Sequence, residues 1–307
     1  MGWGIWDIDF CDVDYKMIEM KIHKQLYHNT INILTMIIMF IMQVDKESLT
    51  EHKIRNFLIS ITTIILKPFL NKDKWKRTSD TVKKFYDDYA GQDTDFINSE
   101  MKQLYYINNK PRMIYNKEFY TIKGKEIYTL LSNHKFKNIL EVGAGELLIL
   151  KEISNKYKSN IKYHATDLSY KRLLMGKKDF NYDISIKQAN AIKLPYKDNT
   201  FDIVITHHCL EQIPYNYKQV INEIIRVSKS TIILLEPTYE LGTISQKLYM
   251  KAHDYVKGLY KYLNTIQNII ITDYYMSKNT DLFNRTGVYI IKKLKNPDTS
   301  DNKKERR

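Results

Sequence analysis

The sequence predicts an α/β fold built on a mostly parallel sheet, and three observations predict it. From Asn138 onward, short apolar runs that read as strands alternate with amphipathic runs that read as helices. The first run, Asn138-Ile139-Leu140-Glu141-Val142, passes directly into the turn Gly143-Ala144-Gly145 and then into a helical stretch. Polar residues suited to ligand contact recur just beyond the ends of successive strands, at Glu141 to Gly145, at Asp167 and at Gln188 to Ala191.

Taken in order, residues 1–15 mix Trp3, Trp6 and Phe10 with aspartates and suggest no regular element. Residues 17–44 read as a helix, amphipathic through Ile18, Ile22 and Leu26 and then almost continuously apolar. Asn29, Asn32, Thr35 and Gln43 argue against a membrane span there. A second apolar helix is expected at 57–70, with Ser48 and Glu51 at capping-box spacing ahead of it and Pro68 ending it. The two read as a helical hairpin that packs on the main domain or forms a dimer face. Weak membrane contact or self-association through residues 17–70 is the partner expectation they carry.

Residues 71–79 form a basic linker around Trp75, and 81–90 a short helix with Phe85, Tyr86 and Tyr89. Residues 93–120 are tyrosine-rich and read as irregular; 121–131 read as a helix leading to the first strand. Strands follow at 138–142, 161–166, 184–188, 201–206 and 231–236, with helices at 146–158, from 169, and at 216–228. A long helical stretch at 244–263 precedes a closing antiparallel pair, 268–276 and 287–293. The expected organisation is an N-terminal helical extension (1–80), lid and approach helices (81–135), the α/β domain (136–295) and a disordered charged tail (296–307).

With 43% apolar and 12% aromatic residues, the chain supports a packed core. A net charge of +13 would suit nucleic acid or an anionic membrane. The lysines are dispersed, however, and only residues 303–307 are densely basic, so nucleic acid is not the expected partner. Cys11 and Cys209 make neither a disulfide framework nor a metal-ligand cluster. No metal is expected, and a reducing, cytoplasmic location fits. Asp7, Asp9, Asp12 and Asp14 oppose a signal peptide.

The glycine turn puts backbone N–H groups and a helix N-terminus at a strand's carboxyl end, where nucleotide-like ligands bind. The dinucleotide fingerprint would need a glycine at Leu148, which disfavours a pyrophosphate. Glu141 suits a ligand with a positive group instead. Asp167 can accept hydrogen bonds from a ribose diol, and Asn190 can meet an adenine amino edge with Ala191 and Ile192 flanking the base.

Through ILEVGAGE, ATDLS, NAIKLPYKDNTFDIVI and RVSKSTIILLEP, in that order and spacing, the chain resembles class I S-adenosylmethionine-dependent methyltransferases. The likeness is to the small-molecule type, similar to the ubiquinone and menaquinone biosynthesis enzymes. It covers residues 81–293 and is strongest over 136–236. It implies a Rossmann-like seven-stranded sheet in the order 3-2-1-4-5-7-6, mostly parallel with an antiparallel last strand. The implied cofactor is S-adenosyl-L-methionine, with Glu141, Gly143, Ala144 and Gly145 around its methionine part, Asp167 and Leu168 at the ribose, and Asn190 and Ala191 at the adenine. Two departures stand out: Leu147 where the family commonly has a third glycine, and Asn190 where it usually has Asp. The segment 85–90 resembles the family's lid, in which Tyr86 and Tyr89 would cover the cofactor.

In the family, the loop holding His207, His208 and Glu211 faces the reacting methyl. His207 would neighbour the cofactor, and His208 and Glu211 are candidate bases. Glu236, Thr238, Tyr239 and Glu240 are expected along the acceptor pocket, and His253 and Asp254 either join them or sit on a helix surface. The expected activity is methyl transfer by in-line displacement to a small-molecule acceptor. An RNA or protein methyltransferase is the alternative the charge suggests, but neither an N-P-P-Y motif nor an RNA-binding module is recognisable. A non-catalytic cofactor-binding scaffold is the third, opposed by the intact glycine turn and Asp167.

Overall fold

The computed structural model describes residues 77–100, 102–157 and 160–294, together with Ile54 and Leu58. The chain first forms α1 (Ser79–Asp88) and α2 (Gln92–Asn98), then β1 (Lys102–Ile107), β2 (Lys110–Tyr115) and α3 (Asn116–Ser132). The alternating part follows as β3 (Asn138–Val142), α4 (Leu148–Tyr157), β4 (Lys162–Asp167), α5 (Tyr170–Lys178) and β5 (Ile184–Gln188). It continues as β6 (Phe201–His207), α6 (Tyr217–Val227) and β7 (Ser228–Pro237). Helices α7 (Ile244–Ala252) and α8 (Leu259–Leu263) lead to β8 (Ile269–Met276), β9 (Thr280–Asp281) and β10 (Thr286–Lys293).

Seven strands form one sheet in the order β5-β4-β3-β6-β7-β10-β8. The first five of these pair in parallel, and β10 is antiparallel to both neighbours. This is the order the resemblance implies. Strands β3 and β6 are apolar on both faces because both faces are covered. Ile139, Ile203 and Ile205 face Ile127 and Leu131 of α3, Leu150 and Ile153 of α4 and Leu173 of α5. Leu140, Val204, Ile232 and Leu234 face Val220, Ile221 and Ile224 of α6 and Leu259 and Leu263 of α8. Covering helices leave the carboxyl ends of the parallel strands as the open edge.

Residues 93–120 are not irregular. They hold α2 and a hairpin that forms a second sheet, β2-β1-β9. The hairpin turns on Asn108 and Asn109, both left-handed with φ of 52° and 61°. Ile107 pairs with Lys110 across that two-residue turn. Asparagine tolerates this conformation better than other side chains, and two such residues make the turn that matches strand twist. Pro111 sits on β2, an edge strand, where a missing N–H is tolerated. Tyr105, Ile107 and Ile114 pack on Phe119 of α3. On the opposite face, Leu104 and Leu282 pack with Ile54 and Leu58.

The long helix expected at 244–263 is two helices. His253 ends the first, and Asp254 (φ 51°) and Gly258 (φ 78°) take left-handed conformations between them. The break turns Tyr255 and Val256 into the core. No helix among the described residues is long and apolar enough to cross a membrane. The rest of the expected apolar hairpin at 17–70, the linker to residue 76 and the tail from 295 lie outside the described residues.

Lys123 fixes the small sheet's surroundings to the large sheet. It is buried in α3, and its Nζ donates to Glu126 (3.1 Å), Ser277 Oγ (3.1 Å) and the Asn279 carbonyl (3.0 Å), the last two between β8 and β9. Removing it would take the cation from this cluster and, among the described residues, leave the Ser277 hydroxyl as the one remaining donor shared between Glu126 and the Asn279 carbonyl. Lys123→Ala is expected to cost about 3 kcal/mol in chemical denaturation. A change within the scatter of surface substitutions would refute the pinning role.

Candidate functional site

The open edge is shaped by the turn after β3. The Thr166 carbonyl at the end of β4 accepts the N–H groups of Gly143 (2.8 Å) and Ala144 (3.0 Å). Asp167 accepts the Gly145 N–H on Oδ2 (2.9 Å) and the Ser169 N–H on Oδ1 (2.8 Å). Gly143 and Gly145 have φ of 72° and 50°. A Cβ on Gly143 would lie 2.5 Å from Cys209 Sγ, and one on Gly145 would lie 2.6 Å from the Arg172 guanidinium. Side chains are therefore excluded on both counts. Leu147, which replaces a family glycine, keeps the left-handed conformation with φ of 60°. Its fully buried side chain joins the core beside Leu150 and Leu173, which offsets the backbone strain.

Two cavities meet at Gly143. The first, about 360 Å³, is lined by Asp167, Leu168, Asn190, Ala191 and Ile192, and by Arg77, Ser79 and Val82 from the start of α1. The second, about 430 Å³, is lined by Glu141, Ala144, Gly145, His207, Glu211 and Tyr89, with Phe96, Tyr105, Phe119, Tyr120, Tyr249 and Tyr255. Gly143, Tyr86, Arg172, His208 and Gln212 border both. The structure thus gathers the residues expected at the cofactor and in the His207–Glu211 loop around this pair of cavities, but not those expected after the fifth strand of the alternating part.

Several lining residues carry no recognisable sequence signal. Arg77, expected in a solvated linker, donates to the carbonyls of Glu211 (2.6 Å) and His253 (2.9 Å). Ser79 Oγ accepts from Asn190 Nδ2 (2.8 Å), and Asn190 Oδ1 accepts the Ile192 N–H (3.2 Å). The amide expected to face an adenine edge thus also orders its own loop and the start of α1, while it lines the first cavity. Arg172 is buried, ion-paired with Asp93 and 4.8 Å from the centre of the Tyr86 ring. Glu146 accepts the N–H groups of Gly91 (2.7 Å) and Thr94 (2.9 Å). These contacts, with Ser169 Oγ donating to Asp87 (2.6 Å), dock α1 and α2 over the glycine turn.

The electrostatics separate the candidate bases. Glu141 is buried, and among the described residues its Oε2 has no hydrogen-bond partner. Burial pushes its carboxyl well above the usual carboxylate range. Burial, together with the His208 and Lys123 cations, pulls His207 well below the ordinary imidazole value, so it is neutral at neutral pH. Burial works against the charged form of His208 too, but the Glu211 carboxylate outweighs it and raises His208 overall. Glu211 is lowered in turn, burial being outweighed by His208. The pair is joined through Nδ1 at 2.9 Å, and Nε2 of His208 lies 2.8 Å from Thr286 Oγ1.

The residues at and just after the end of β7 line neither cavity. Glu236 accepts the N–H groups of Cys209 and Leu210, both at 3.0 Å, and caps the short turn Leu210–Gln212. Burial pushes its carboxyl up to about 7. Thr238 pairs with Tyr274 (2.6 Å), and Thr238, Tyr239 and Glu240 border neither cavity. His253 lies against the Tyr249 ring, 4.0 Å between centres, and Asp254 turns the chain beside it. The alternation of β7 places Glu236, and sequence order alone does not reveal which face it takes. Among the described residues no cluster of His, Cys, Asp and Glu could hold a metal ion.

Residues 140–235 match a family model described as a methyltransferase domain. Over 96 residues the chain is 32% identical to demethylmenaquinone methyltransferase of Alkalihalophilus pseudofirmus, covering 29% of this chain and 40% of that one. Ajmaline N-methyltransferase of Rauvolfia serpentina is 28% identical over 122 residues, covering 37% of this chain and 41% of that one. The chain thus spans about 40% of the length of the curated relatives it matches. Magnesium protoporphyrin IX methyltransferase of Synechocystis PCC 6803, solved with bound SAH, aligns with a TM-score of 0.51 at 11% identity, over 70% of this chain and 100% of that one. The cyclase SpnF aligns with a TM-score of 0.52 at 13% identity, over 71% of this chain and 97% of that one. At these identities the structural likeness is one of fold.

The His208–Glu211 pair gives stability a predictable pH dependence. Because His208 is raised, its contribution is complete below the ordinary value of 6.5 and is lost as pH rises through the raised value. Because Glu211 is lowered, its contribution is present above 4.5 and is lost as pH falls through the lowered value. His208→Gln is expected to cost about 2 kcal/mol near pH 6 and to flatten the loss of Tm above it. Calorimetry across pH 6 to 9, about the imidazole range, checks this. An unchanged slope refutes it.

Proposed function

We propose that this chain, whose residues 140–235 match a methyltransferase-domain model, is a class I S-adenosylmethionine-dependent methyltransferase that transfers a methyl group to a small-molecule acceptor. The observation that carries the proposal is the meeting of two chemically distinct cavities at Gly143. One offers Asp167 and the Ala191–Ile192 loop; the other offers an unpartnered carboxylate oxygen on Glu141. Glu141 would take the ammonium of the methionine end, a cation that restores the ionised carboxylate. The bare Gly143–Gly145 backbone would admit the chain that joins the two halves. Asp167 keeps lone pairs beyond those engaged by Gly145 and Ser169 and would accept the ribose hydroxyls.

When bound, S-adenosylmethionine supplies a sulfonium methyl: the acceptor's lone pair forms the new bond as S–CH₃ breaks, its electrons stay on sulfur, and the acceptor loses a proton. The protein's task is alignment, exclusion of water and reception of that proton. Tyr86 and Tyr89, held by Arg172, would cover the junction and keep it dry. We assign His207 the contact with the acceptor's proton, because its imidazole is neutral and faces the second cavity. His208 and Glu211, charged and bonded to each other, would hold the loop in place.

A small acceptor suits the second cavity, which aromatic rings enclose. Demethylmenaquinone and ajmaline, the small molecules in the names of two relatives, support the same choice. A cytoplasmic location suits the free thiol of Cys209.

Titration calorimetry with S-adenosylhomocysteine tests the proposal. The wild-type chain is expected to bind it, and Asp167→Ala and Glu141→Gln are each expected to weaken binding by roughly tenfold or more. Absence of binding by the wild type overturns the proposal.

A further inference from the structure

The hairpin β1–β2 brings one side chain to the second cavity that the fold itself does not use. Gln103 is 1% exposed, and among the described residues neither its Oε1 nor its Nε2 has a hydrogen-bond partner. A buried amide in that condition forfeits solvation at both ends and receives nothing back from the protein. Alternation along β1 sets Gln103 and Tyr105 on one face, and both line the second cavity. The two differ in one respect. The Tyr105 hydroxyl donates to Asn116 Oδ1 at 2.7 Å, and its ring stacks on Phe119 at 3.9 Å. Gln103 alone presents a free donor and a free acceptor, side by side, next to a flat aromatic wall.

We propose that Gln103 reads the methyl acceptor, selecting a neutral planar ring with a hydrogen-bond donor beside an acceptor, as a cyclic lactam presents. This rests on the methyl-transfer reading above. The geometry of a primary amide matches such an edge with two parallel hydrogen bonds. A carboxylic acid would match it too, but as a carboxylate it would meet a cavity in which Asp93, Glu146, Glu211 and Asp281 outnumber Arg172 and His208. The aromatic wall formed by Tyr105 and Phe119 favours a flat ring against it. Binding of such a ligand is also what relieves the unpaired amide, so the mismatch in the free protein becomes discrimination in the complex.

The test uses the full chain, S-adenosylhomocysteine, and three bicyclic probes of similar shape: carbostyril (a lactam), quinoline (an acceptor only) and naphthalene (neither). With S-adenosylhomocysteine bound, the wild type is expected to prefer carbostyril over quinoline by roughly tenfold or more. Gln103→Leu is expected to bind S-adenosylhomocysteine as the wild type does, to melt no lower, and to lose that preference. Gln103→Met serves as a second near-isosteric variant. Loss of folding by both variants would make Gln103 structural and overturn the inference. It is also overturned if the wild type shows no preference for carbostyril or if the variants keep one. Failure of the wild type to bind S-adenosylhomocysteine is a different result, because it removes the methyl-transfer reading on which the inference stands.

Discussion

The carboxylate of Asp167 is the point on which the site depends. One oxygen holds the Gly145 N–H at the end of β3, and the other holds the Ser169 N–H at the start of α5. A single side chain therefore fixes two neighbouring strand ends in relation to each other. Ser169 caps α5 by accepting the Arg172 N–H, and its hydroxyl also donates to Asp87 of α1. From there the linkage continues outward: Arg172 pairs with Asp93, and Glu146 caps the start of α2 through Gly91 and Thr94. The covering helices are joined to the glycine turn by polar contacts because α1 and α2 bury no residue fully. Contacts of this kind can exchange with water or with a ligand at modest cost, whereas a packed apolar face cannot.

The sheet was legible because its strands are buried on both faces. Runs such as Ile139-Leu140 and Ile203-Val204-Ile205 have no other use in a chain of this composition. The turn, Asp167 and Ala191 were legible because each stands at a strand end, where sequence position and spatial position coincide. The hairpin was not legible. Its strands contain Gln103, Lys110 and Arg112, which break the alternation, and its turn is Asn-Asn with no glycine. Two adjacent asparagines between a Leu-Tyr-Tyr-Ile run and a Met-Ile-Tyr run were the available signal. The break at Asp254 was hidden because its left-handed conformation is stabilised by the burial of Tyr255 and Val256, which is a tertiary effect.

Site residues divided along the same line. Glu141, His207 and Glu211 border a cavity because strand ends put them there. Glu236 also ends a strand, yet its carboxylate serves the backbone of Cys209 and Leu210 instead. Arg172 and Gln103 were invisible for opposite reasons. Arg172 looks like any solvated helix cation until the packing of Tyr86, Tyr89 and Asp93 encloses it. Gln103 is an ordinary strand residue until its burial without a partner is seen. Charge balance and hydrogen-bond satisfaction are properties of the assembled site and are not carried by any one segment.

The strained backbone in this region is held in two different ways. Leu147 and His208 both carry positive φ without being glycine. Each conformation costs on the order of 1–2 kcal/mol, and each is held by independent restraints. Leu147 is held by full burial in the core. His208 is held through its N–H on the Leu235 carbonyl (2.9 Å) and its ring on Glu211 and Thr286. The sharp bend at His208 sets Cys209 against Gly143, where its Sγ fills the space a Cβ would need. The same bend lets His207 and His208 present different ring environments within one loop, one neutral and one charged. A relaxed loop would move Cys209 off Gly143 and merge the two environments. The bend at His208 is therefore what seats Cys209 on Gly143 where the two cavities meet, with the charged His208 bordering both cavities and the neutral His207 facing the second alone.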